Sequence, residues 1–148
     1  MLVPELDVVD VARSLRFYVE VLGFRVLFER DIERFVYLER DDVEVMLQDA
    51  AGPGRRFRTA PLDPPFGRGV NFQLRVDDVD EVHRRAMDGG AEIVIPMEER
   101  WYQVDVAAAG GRWPTTGPTE AGNRQFVVAD PDGYLWRPFR DLGTRPST

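Results

Sequence analysis

Bond-making chemistry has few places to reside in this chain. It contains no cysteine and one histidine, His83, which stands beside Arg84 and Arg85 on a polar helical stretch and is expected to face solvent. Without thiols there is neither a disulfide, a thiolate metal site nor a cysteine nucleophile, so general-base work would fall on a carboxylate. Glu5 and Glu44 occupy strand-like runs and are the candidates for it. Recognition is better provided for. Arg137 stands mid-strand among large apolar neighbours, a placement that needs a reason, and with Gln125 it would suit a carboxylate or amide group. Trp101 and Tyr102 follow the acidic pair Glu98 and Glu99 and open a long irregular stretch through Gly110, Trp113, Pro114 and Gly117 to Gly122. A loop that long in a compact domain is usually functional or disordered, and its aromatic residues argue for order. Tyr37, Trp136 and Phe139 are further lining candidates, with core packing as the competing role for Trp136 and Phe139. Flat aromatic side chains stack on a planar ligand and an acidic rim holds a cationic tail, each contact contributing about 1 kcal/mol.

These residues need elements to hold them. Gln125 to Phe139, QFVVADPDGYLWRPF, reads as a hairpin: a β-branched strand, a turn at Asp130, Pro131, Asp132 and Gly133, and a returning strand. Strand alternation puts Tyr134, Trp136 and Pro138 on one face and Leu135, Arg137 and Phe139 on the other. Upstream, Leu2 to Val8 is strand-like. Asp10 then caps a helix whose stripe is Val11, Leu15, Tyr18 and Leu22, and Gly23 stops it. Three strand-like runs follow, Phe24 to Glu29, Arg34 to Glu39 and Val43 to Gln48. The second half repeats the plan. Gly69 to Val76 is strand-like, Asp78 caps a helix striped by Val79, Val82 and Ala86, Gly89 and Gly90 end it, and Ala91 to Pro96 leads toward the hairpin. Two similar modules are expected within one domain spanning residues 1–148: module one at 1–49, an irregular linker at 50–68, and module two at 69–142. The linker's Arg55, Arg56, Phe57 and Arg58 read mainly as a solvated loop.

At 148 residues and 43% hydrophobic content, one domain can bury a real core. A net charge of -7 argues against nucleic acid as a partner and favours solubility and attraction of cations. No basic leader and no membrane-length apolar run appears, so a cytoplasmic, membrane-free protein is expected.

Three segments carry a family resemblance. VVDVARSLRFYVEVLGF, RVDDVDEVHRRAMDGGAEIV and GNRQFVVADPDGYLWRPFRDLG resemble the glyoxalase, bleomycin resistance protein and dioxygenase superfamily, with its vicinal oxygen chelate fold. The resemblance covers nearly the whole chain. It implies an α+β architecture in which two βαβββ modules form a curled mixed sheet around a cleft. The superfamily's enzymes hold a divalent metal there with His, Gln or Glu. The matching positions here are Val3, Met46, Asn71 and Arg137, a set unsuited to a hard cation. A metal-free cleft without cofactor is therefore expected, lined by Trp101, Tyr102, Asn71, Gln125, Arg137, Met46, Trp136 and Phe139. The resemblance implies a homodimer that sequesters a planar cationic antibiotic or related metabolite. The alternative is a superfamily lyase, isomerase or dioxygenase with an atypical metal site or a carboxylate base such as Glu44.

Overall fold

A computed structural model describes residues 1–104 and 119–147. Two four-stranded mixed sheets are present, each built on the same plan. Sheet A orders its strands β1-β4-β3-β2 from β1 (Glu5–Val8), β2 (Arg25–Arg30), β3 (Phe35–Arg40) and β4 (Val43–Asp49). Sheet B orders β5-β8-β7-β6 from β5 (Asn71–Arg75), β6 (Glu92–Val104), β7 (Thr119–Ala129) and β8 (Leu135–Pro146). In both, the first strand lies parallel to the last and the rest are antiparallel. Helices α1 (Val11–Arg16) and α2 (Val79–Asp88) follow the first strand of each module.

The expected repeat is present down to its caps. The Asp10 carboxylate accepts from Arg13 N at 3.1 Å, and that of Asp78 accepts from Glu81 N at 3.0 Å, each satisfying a donor that the first turn leaves free. The helix expected to run unbroken to Leu22 instead widens: Phe17–Val21 is a π-helical turn, with Leu22 N donating to Phe17 O at 3.2 Å. That turn buries Phe17, Tyr18 and Val21. Two strands run longer than expected. β6 continues through Trp101 and Tyr102, which are thus strand residues, and β8 continues past residue 142. Gly110, Trp113, Pro114 and Gly117 lie outside the described residues.

One core joins the modules. Tyr18 and Phe24 from module one meet Trp136 edge-on, at ring-centroid distances of 5.7 and 5.8 Å, and Phe72 lies 4.8 Å from the same indole. Trp136 Nε1 donates to Tyr18 Oη, which donates in turn to Asp130 at 2.9 Å, so the polar atoms of this aromatic cluster are satisfied. The Asp130–Gly133 turn does more than reverse the chain. Asp132 accepts from Ser14 Oγ at 3.2 Å, Arg13 Nη2 at 2.8 Å and Val9 N at 3.3 Å, and Tyr134 Oη donates to Asp7 O at 3.0 Å. Gly133 has φ +86, and a Cβ there would lie 2.4 Å from Pro65 Cβ. The linker, expected as an irregular crossover, is tied down as well. Arg58 Nε donates to Asp7 at 2.9 Å and Arg56 Nη2 to Asp49 O at 2.8 Å, while Phe57 is exposed.

Candidate ligand-binding site

Alternation splits each sheet into a helix side, which supplies the core, and a helix-free side, which carries the candidate site. In sheet B the core takes Leu74, Phe126, Val128 and Trp136. The residues between them, Gln73, Gln125, Arg137 and Phe139, therefore share the helix-free side. Register places Gln73 beside Arg137, Asn71 beside Leu135 and Gln125 beside Phe139, which makes Gln125 and Arg137 diagonal neighbours at roughly 7–8 Å. Gln125 is buried. Its Nε2 donates to Tyr102 Oη at 2.9 Å and approaches Glu98 Oε1 at 3.3 Å. Its Oε1 and the Nε of half-buried Arg137 are buried with no hydrogen-bond partner among the described residues. Farther along this side, Asn71, Leu135, Ala129, Val94 and Val70 line a cavity of about 690 Å³ whose wall is completed from Pro65 to Gly69.

The eight expected ligand-binding residues therefore divide. Tyr102, Asn71, Gln125, Arg137 and Phe139 come together on the helix-free side of sheet B. Met46 sits on the corresponding side of sheet A, between its register partners Glu5 and Tyr37. Trp101 and Trp136 belong to the other side. Trp136 is 2% exposed and filled into the core, and the Trp101 ring lies flat over Gly122, where a Cβ would come within 2.7 Å of it, with the Arg145 guanidinium 4.0 Å from its ring. Adjacent strand residues point oppositely, so Trp101 and Tyr102 do not share a face. His83 is half-buried rather than free in solvent, its ring edge-on to Phe126 at 4.9 Å.

Sheet A adds a surface of which sequence reading named Tyr37 but not Phe28. Phe28 and Tyr37 stack with centroids 5.0 Å apart and planes 23° apart, and Phe35 continues the patch under the Arg30 guanidinium. Tyr37 Oη donates to Glu44 Oε2 at 2.5 Å, which raises the phenol's pKa, chiefly through that hydrogen bond. Glu44 is thus already engaged by Tyr37. Parity counting along β2 and β3 from the core residues Val36 and Leu38 was the signal that could have found this patch.

Val3, Met46, Asn71 and Arg137 offer a divalent ion one amide oxygen, one thioether and a fixed positive charge, and do not fit it. Among the described residues no three His, Cys, Asp or Glu side chains group closely enough to hold a metal.

The family model described as Glyoxalase/Bleomycin resistance protein/Dioxygenase superfamily matches residues 4–137. A bleomycin resistance protein of Geobacillus stearothermophilus is 24% identical, over 95% of this chain and 96% of its own length. The crystal structure of TioX from Micromonospora sp. ML1 superposes with a TM-score of 0.65 at 27% identity, covering 95% of this chain and 98% of that one. TnmS3, an antibiotic binding protein from Streptomyces sp. CB03234, superposes at 0.60 with 23% identity over 94% and 93% of the two chains, a likeness of fold. With its two repeated modules and a family match over nearly its whole length, the chain belongs to the glyoxalase, bleomycin resistance protein and dioxygenase superfamily.

Proposed function

We propose that this is a binding protein of the bleomycin-resistance kind, which sequesters a planar, cation-bearing antibiotic or related metabolite on the helix-free sides of its sheets, without a metal and as a homodimer. The observation that carries this reading is the stacked Phe28 and Tyr37 pair with the Glu44 carboxylate held on Tyr37. Phe28 is 46% exposed, so a flat aromatic surface is available; Glu44 is bonded to Tyr37, and Glu5 lies on the same face two strands from Tyr37, across Met46. Stacking supplies affinity for a planar ring, and the carboxylates with the protein's net charge of -7 supply it for a cation. Similarity to bleomycin resistance proteins supports the ligand class.

Titration with bleomycin and a small panel of planar cationic antibiotics tests the proposal, read by tryptophan fluorescence and melting temperature. Binding with a raised melting temperature is expected, weakened about fivefold by Phe28→Ala or Tyr37→Ala, each of which removes one stacking surface worth roughly 1 kcal/mol. No response to any member of the panel would refute it.

A further inference from the structure

The helix-free side of sheet B holds a feature that a cationic ligand does not explain. Among the described residues, half-buried Arg137 has no carboxylate in ion-pair range and its Nε has no partner. Gln125, 4% exposed, is held so that its oxygen is the unpaired atom. Its orientation is fixed chemically: a carboxylate only accepts, so the amide nitrogen must face Glu98, while Tyr102 Oη accepts from the same nitrogen at 2.9 Å. The face thus holds one buried donor, at Arg137, and one buried acceptor, at Gln125, on neighbouring strands. Leaving both unmade is costly, so each is built for a partner.

We infer that Arg137 and Gln125 form a recognition pair for a carboxamide carried on a planar ring, Arg137 donating to its carbonyl oxygen and Gln125 Oε1 accepting from its N–H. A free carboxylate would satisfy Arg137 but set its second oxygen against Gln125 Oε1 and toward Glu98. A cation would meet the Arg137 charge. Only a group with an acceptor and a donor side by side completes both bonds. Leu135, two residues from Arg137 on the same face, lines the 690 Å³ cavity with Val94 and Ala129, room for an apolar ring system beside the amide. This recognition presupposes the binding role proposed above and assigns the ligand's neutral polar edge to sheet B.

The probes are naphthalene-2-carboxamide, its N,N-dimethyl analogue, naphthalene-2-carboxylate and 2-naphthylmethylamine, with dissociation constants from ligand-observed NMR on the full chain. The carboxamide should bind about tenfold more tightly than each of the others. Its advantage over the dimethyl analogue should vanish in Gln125→Leu, and Arg137→Gln should weaken both amides together. Equal affinities across the wild-type series would overturn the inference without recourse to variants, and would mean that water satisfies the pair. Bleomycin binding that persists unchanged in Gln125→Leu and Arg137→Gln would overturn it while leaving the sequestration reading intact. Failure of the antibiotics and all four naphthalenes together would overturn both.

Discussion

Tyr134 and Tyr18 show what burial does to a single side chain here. Burial pushes the Tyr134 phenol up to about 12, and Tyr18, fully enclosed beside Asp130, is raised well above its ordinary value for the same reason. Each donates a hydrogen bond that only the protonated form can make, Tyr134 to Asp7 O and Tyr18 to Asp130. A folded-state pKa above the unfolded value near 10 means that this stability is fully present below pH 10 and is lost as pH rises toward 12. Urea unfolding between pH 8 and pH 12 should therefore show a steep alkaline decline, to which Tyr134 alone contributes on the order of 2 kcal/mol. Tyr134→Phe should cost about 1 kcal/mol at neutral pH, by stranding the Asp7 carbonyl, and should flatten the decline. A variant curve parallel to wild type from pH 10 to pH 12 would refute the assignment. At this scale sequence was a partial guide. It singled out Arg137 as an arginine that needed a reason, and Gln125 beside it, because strand parity is local. It misplaced Trp101, which strand β6 reached by running farther than its composition signalled, and it did not see Phe28, whose significance rests on a cross-strand partner.

The Asp130–Gly133 turn is the element on which the module arrangement depends. Composition predicts the turn, since proline, aspartate and glycine each suit their position in it. That its carboxylates reach across to the start of α1 was not legible, because the partners Ser14, Arg13 and Val9 lie more than a hundred residues away and only the folded core brings them near. Asp132 is buried, with its side chain 3% exposed against 43% for Arg13, and Ser14 is fully buried. Asp132→Ala leaves the Ser14 hydroxyl and the Val9 amide without their acceptor, at a cost of roughly 2–4 kcal/mol. The melting temperature should fall by about 5–12 °C in a chain of this size. Asp10→Ala, which removes only a helix cap, should lower it by about 2–4 °C. Equal losses in the two variants would show that the turn closes a hairpin and nothing more.

At the scale of the molecule, the two modules meet through their helix-side core, and their helix-free sides carry the candidate ligand surfaces. β2 is the edge strand of sheet A, and every residue in it is exposed. Val26, Leu27 and Phe28 are 39%, 49% and 46% exposed, apolar side chains on a strand edge that is unpaired among the described residues. Soluble proteins cover such edges, and in the proposed homodimer a second copy covers this one. Phe28 would then serve twice, bordering the partner and stacking with Tyr37 on the ligand surface. A shared residue makes ligand binding and association linked equilibria, each favouring the other by the same factor. Sedimentation velocity on a dilution series should show dimers separating to monomers, with bleomycin moving that separation to lower protein concentration. Phe28→Glu, which sets a charge on the edge, should yield monomers that bind bleomycin at least tenfold more weakly, whereas Val19→Ser, on the helix surface, should leave both properties unchanged. A monomer at every concentration, with unimpaired affinity, would place the whole ligand surface within one chain.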